Sequence, residues 1–370
     1  MTATPAAMKM PSRAAGSAAG VQRFLLLDGL RGLAAFAVIL DHTPPNMLGN
    51  LVPGRYLAVD FFFVLSGFVL AHAYGSRLES GWSAFSFLRA RIIRLYPLYF
   101  AGLVIGVSLA LVGVLRGWDA APIGEVGVFV LLGLLFLPAP PMFDFGGGNL
   151  YPFNGPSWSL FFELVANFTY GLIARVLGWR LLSAILLVGA VALAFTVTRH
   201  PDVGGPGWLW SHFDAGLSRV IFDFFAGVAL FRLRGTFRFP RLPAVIPALV
   251  FLVVIAAPVA AAWRAPYDAA IAILVMPLLV GFASEAKVAG AIGRACSGLG
   301  ALSYGVYVLH VPLLAVLMLA AQTVHIDLSG MTIVGLIVVM AGVVAAVLNR
   351  FYDAPMRRWL SEKLPGRANG

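Results

Sequence analysis

Apolar stretches of about twenty residues recur along this chain, and no other feature limits its fold so tightly. Hydropathy marks eleven of them, at 24–43, 56–75, 96–115, 124–138, 158–177, 181–198, 214–232, 243–262, 267–284, 303–321 and 331–351. Such a segment can cross a bilayer as a helix because a helix satisfies its own backbone hydrogen bonds. The ten-residue alternation of a membrane β-barrel is absent. The expected fold is all-α: a polytopic transmembrane helical bundle of about 10–11 spans with no separate soluble domain. The lipid bilayer is then its first partner.

The basic residues narrow the topology. Arginines and lysines gather before the first span, at Arg77–Arg94, Arg232–Arg241 and Lys287–Arg294, and after Arg350. If all of these lie on the cytoplasmic side, the chain makes an odd number of crossings between Arg94 and Asn149. Two candidates lie there, and 124–138 is short for a span. Ten spans with both termini cytoplasmic are expected, with 124–138 re-entrant or tilted; eleven is the alternative. Residues 1–22 read as a disordered cytoplasmic tail without a signal-peptide core, 23–360 as the transmembrane domain, and 361–370 as a cytoplasmic C-terminal tail.

The net charge of +10 is explained by this loop bias and by anionic headgroups, and no aromatic-basic repeat points to nucleic acid. The single Cys296 excludes an internal disulfide, and no histidines or acids have the tight spacing of a metal site. The loop at 138–158 is dense in Pro, Gly and aromatics. It suits either a plain outer connection or an interfacial, sugar-binding surface.

Charge inside a span costs a few kcal/mol or more, so it usually faces a cavity or a partner. "LDGLRGLAAFAVILDH" (27–42) contains Asp28, Arg31, Asp41 and His42. Arg31 and His42 are eleven residues apart, which returns to within about 20° of the same helix face some 16 Å along the axis. They may be an interfacial arginine and an interfacial histidine, or a charge and a base at two depths of one lumen. Asp28 is placed to pair with Arg31.

This Arg-x10-His segment resembles the first-helix motif of the acyltransferase-3 family of integral membrane O-acyltransferases. Four further stretches resemble that family's motifs in the same order. They are "VDFFFVLSGFVLA" (59–71), "FLRARIIRLYPLYF" (87–100), "PSWSLFFE" (156–163) and "LSYGVYVLHVPLL" (302–314). The likeness spans about 24 to 360. Two residues depart from it: Asp41, where an apolar or aromatic residue is commoner, and Asp353, where Glu is commoner.

The resemblance implies a membrane-embedded enzyme of the bacterial cytoplasmic membrane. It would move an acyl group, most simply acetyl, from a coenzyme A thioester to a hydroxyl of a carbohydrate, glycolipid or other acceptor. Acyl-CoA is a donor substrate here, and no tightly bound cofactor is implied. His42 is the expected general base, with Glu163 orienting it or sharing its proton. Arg31, Arg91 and Arg94 are expected to hold donor phosphate or pantetheine, with Arg31 alternatively catalytic in stabilising charge as the thioester collapses, although Arg91 and Arg94 also fit plain positive-inside topology. Asp60, Ser66, Trp158, Ser159, Tyr304 and His310 are expected around the substrate cavity. For Asp60 and Glu163 capping or pairing is the bland reading, for Ser66 helix packing, and for His310 a structural hydrogen bond. An acceptor-side protein partner or a homo-oligomer is compatible with this scheme. A transporter or flippase of a glycan or lipid-linked intermediate is the competing class.

Overall fold

The computed structural model describes residues 23–43, 52–118, 122–143, 145–200 and 204–364. The tail expected at 1–22 and the last six residues lie outside the described residues. Eleven helices follow in order among those described. They are α1 Leu25–His42, α2 Ala58–Glu79, α3 Ala84–Leu115, α4 Ile123–Leu134, α5 Ser157–Ile173 and α6 Trp179–Arg199, then α7 Phe213–Leu233 and α8 Val245–Ala256. The last three, α9 Ala261–Glu285, α10 Gly290–Thr323 and α11 Gly330–Lys363, are continuous. α9 and α11 each contain one π-helical stretch, Ile271–Val275 and Asn349–Asp353. α11 ends at Lys363, slightly beyond the expected domain limit.

Side-chain pairs give the direction of each helix. α1 and α10 run the same way, since Gly29 meets Cys296, Arg31 meets Ser303 and His42 meets His310. α2 and α7 run together in the opposite sense, with Asp60 against Arg219 and Glu79 against Arg232. The bundle thus has an Arg31 end and a His42 end. Ten helices carry the chain from one end to the other, alternately.

The eleventh, α4, does not. Its first turns lie beside the loop at the His42 end, where Phe129 stacks on Phe145. Its last turn reaches only as far as Tyr96, which donates to the Leu134 carbonyl at 2.9 Å. The chain then turns back, and Ala139 pairs with Leu150 at the end it left. Leu150 in turn donates to Trp208. The segment at 124–138 is re-entrant, the first of the two arrangements that loop charge favoured over an eleventh span.

Six helices are long and apolar enough to cross a membrane: α3, α6, α9, α10, α11, and α2 with its 3-10 lead-in from Arg55. The chain is an integral membrane protein. α1 and α7 miss that standard because they carry more charge: Asp28, Arg31 and Asp41 on α1, and Asp214, Arg219, Asp223 and Arg232 on α7, of which Arg219 and Asp223 are buried. α2 and α7 are pressed backbone to backbone. A Cβ on Gly67 would strike the Phe224 carbonyl, and one on Gly227 the Val64 carbonyl, so only glycine allows that approach.

Candidate active site

Two cavities are stacked within the bundle. The one nearer the Arg31 end has a volume of about 260 Å³ and is bordered by Arg31, Ser66, Arg91, Arg94, Glu163 and Tyr304, among others. The one at the His42 end, about 520 Å³, is bordered by Asp41, His42, Tyr56, Asn149, Trp158 and Trp208, among others. Val59 and Tyr307 line both, so they form the wall between them.

The lower cavity is built from α1, α2, α3, α5 and α10. Arg31 donates through Nε to Ser303 Oγ at 2.9 Å and through Nη2 to the Gly300 carbonyl at 2.8 Å. The expected Asp28 pair forms as well, at 3.2 Å. Arg91 lies one turn before Leu95 on the same face of α3, and its Nη2 reaches Glu163 Oε1 at 3.1 Å. Ser66 donates to that same oxygen at 2.7 Å. Arg94 lies 5.4 Å from the centre of the Tyr304 ring, and the Tyr304 hydroxyl donates to the Leu95 carbonyl of α3. On the dividing wall, the hydroxyls of Ser159 and Tyr307 are 2.6 Å apart.

The upper cavity has a different chemistry. His42 is exposed at its edge, and its Nδ1 lies 3.1 Å from Nε2 of the fully buried His310. The bonds around this pair fix which nitrogen holds each proton. His310 Nδ1 is 2.7 Å from the Tyr307 carbonyl and 3.2 Å from the Val306 carbonyl. A carbonyl only accepts, so His310 carries its proton on Nδ1 and presents a bare Nε2. His42 must then donate from Nδ1, an N–H it shares with the Val38 carbonyl at 3.1 Å. The lone pair of His42 is left on Nε2, the nitrogen a general base needs.

Several expectations are corrected. Glu163 does not orient His42: it faces the lower cavity, held by Ser66 and Arg91, and the partner of His42 is His310. His310 does not border either cavity but stands behind His42. Asp60 does not border them either. It forms a two-pronged bond to Arg219, with both contacts at 2.9 Å and both side chains only 2% exposed. The aromatics of the 138–158 loop turn inward, with Tyr151 donating to the Phe136 carbonyl and Phe153 buried. Only Asn149, Gly155, Pro156 and Trp158 from that stretch reach the upper cavity. Arg31, Ser66, Arg91, Arg94, Ser159 and Tyr304 do share the lower cavity.

Sequence reasoning missed Tyr307, although it precedes His310 by one helical turn and so shares its face. It also missed Trp208 and Tyr56, which carry no local signal. Arg219 did have one, a charge inside an apolar segment, of the same kind that drew attention to Arg31.

A family model described as an acyltransferase domain matches residues 24–349. The chain belongs to the acyltransferase-3 family. As an acyltransferase it transfers groups other than aminoacyl. It is 42% identical over 161 residues to a Rhizobium radiobacter protein named "Protein 2 in picA locus", covering 40% of this chain and 81% of that one. No solved structure matches it.

Proposed function

We propose that this acyltransferase takes an acyl group, most simply acetyl, from a coenzyme A thioester held at the Arg31 end. It passes that group to a hydroxyl of a carbohydrate or glycoconjugate at the His42 end. The observation that carries this reading is the pair of stacked cavities with opposite chemistry and a common wall. Guanidinium groups suit phosphate and polarise a thioester, whereas a neutral imidazole with a bare nitrogen suits a hydroxyl.

In this scheme the acceptor enters from the His42 end. His42 Nε2 removes the hydroxyl proton as the oxygen attacks the thioester carbonyl presented from below. The Tyr307 and Ser159 hydroxyls on the wall donate to the oxyanion. The C–S bond then breaks, the new ester remains on the acceptor, and the thiolate takes the proton back from the imidazolium. His310 is a positioning residue: it holds the tautomer of His42 and accepts a stronger bond from the imidazolium.

The Arg31 end carries most of the arginines, among them Arg77, Arg89, Arg232, Arg234 and Arg294, so it faces the cytoplasm of a bacterial inner membrane. The start of α1 and the end of α11 lie on that side. Acyl groups are thus handed across the membrane without release. Family membership favours this over the transporter reading.

The test is His42→Gln in purified protein with acetyl-CoA and a glycan extract as acceptor. Transfer is expected to fall by about 10²–10⁴-fold with the melting temperature unchanged. Unaltered transfer at normal expression would remove His42 from the base role.

A further inference from the structure

A third cavity, of about 340 Å³, opens on the flank of α3 at the Arg31 end. It is lined by Tyr74, Trp82, Ser86, Arg89, Arg94 and Arg357, among others. Among the described residues, no carboxylate lines it. We propose that it receives the nucleotide end of the donor, a phosphorylated adenosine, while the thioester end lies in the cavity at Arg91 and Glu163. This rests on the reading that the donor is an acyl-CoA.

The connection between the two cavities is a matter of helix geometry. Ser86, Arg89, Ala90 and Ile93 share one face of α3, whereas Arg91 and Leu95 point to the adjacent face. Arg94 stands on the border and lines both cavities. A long, thin ligand can therefore leave the outer cavity past one arginine and enter the inner one.

The lining has the chemistry of a nucleotide site. Arg357, on the last turns of α11, is held in place by Asp353 at 2.7 Å. Its Nε, like Nη1 of Arg94, is buried with no hydrogen-bond partner among the described residues. A buried N–H without a partner is costly, and phosphate oxygens are suitable acceptors for two guanidinium forks. Trp82 is stacked on Tyr74 with ring centres 5.7 Å apart and planes 15° from parallel, which makes a flat aromatic wall of the sort that purines stack on. Trp82 lies just before α3 and lines the same cavity as the arginines.

The experiment measures binding to the purified full chain, so it does not depend on knowing the acceptor. The probes are coenzyme A, pantetheine and adenosine 3′,5′-bisphosphate. The wild type is expected to bind coenzyme A at least tenfold more tightly than pantetheine, and adenosine 3′,5′-bisphosphate should displace coenzyme A. Arg357→Gln and Trp82→Ala should each weaken coenzyme A and the bisphosphate about tenfold and leave pantetheine unchanged, with Arg357→Lys intermediate.

Coenzyme A binding that is normal in both variants, or pantetheine weakened equally, overturns the nucleotide site while the donor reading stands. A wild type that binds no coenzyme A overturns both. Nanodiscs with and without phosphatidylglycerol supply the last arm. If the wild type binds the bisphosphate only in nanodiscs that lack phosphatidylglycerol, the cavity is a headgroup site in the membrane and the nucleotide assignment falls.

Discussion

Two of the arginine–carboxylate pairs in this bundle, Arg219–Asp60 and Arg91–Glu163, differ in nearly every physical respect. Arg219 and Asp60 are each 2% exposed, meet through two bonds of 2.9 Å, and are roofed by the Trp158 ring 5.5 Å from the guanidinium. Arg219 also donates to the Pro206 carbonyl at 2.8 Å. Arg91 and Glu163 meet through one contact of 3.1 Å, are 14% and 16% exposed, and face a cavity. A pair whose bonds are all spent internally joins two helices. A pair with capacity left over and space in front of it is available to a substrate. Family resemblance placed one partner from each, Asp60 and Glu163, around a single site, and only one of them is there.

The largest effect expected from this contrast is in the closed pair. Asp60→Ala removes both carboxylate hydrogen bonds of the buried Arg219, leaving only the charges of Asp223 and Asp268 to oppose it, and should cost about 3–5 kcal/mol, read as a collapsed melting temperature in detergent. Asp60→Leu combined with Arg219→Met should recover most of that loss, because a packed apolar pair needs no desolvation. A single variant that melts like the wild type would erase the distinction.

The open pair should respond in function instead. Arg91→Gln is expected to move stability by no more than about 1 kcal/mol, as partly solvated pairs do. It should weaken donor binding about tenfold, the loss of one charge-assisted bond. If Arg91→Gln melts as badly as Asp60→Ala, the two pairs are alike and the cavity is incidental.

The smallest change is Ser66→Ala, which removes the second bond to Glu163 Oε1. About 1 kcal/mol is expected, read as a several-fold rise in donor KM with little thermal shift. A large thermal shift would mean that Ser66 is chiefly a packing residue of α2.

Much of this was legible before the structure. Hydropathy located the helices, and loop charge favoured a re-entrant or tilted 124–138 over an eleventh span. The helices α3 and α10 nonetheless begin well before their apolar windows, at Ala84 and Gly290. A hydropathy window ends at the first charges, whereas a helix continues wherever its backbone bonds do, and that extension is what carries Arg91 and Arg94 on a rigid face. The offset of Arg31 and His42 was also readable, since periodicity within one helix is local. Their partners were not: Ser303, Gly300 and His310 are more than 260 residues away along the chain.

The sequence by itself determined a helical membrane bundle of ten or eleven crossings, its family, and the presence of a histidine and several guanidinium groups in the span region. These follow from composition and short-range spacing, which need no knowledge of neighbours. Only the tertiary structure decided that His42 is held by His310 and not by Glu163, that Asp60 belongs to Arg219, and that the arginines and His42 face two cavities divided by Val59 and Tyr307. Which side chains meet depends on the rotation and depth of packed helices. Close glycine contacts such as Gly67 on Phe224 and Gly227 on Val64 set those, and no spacing along one segment contains them.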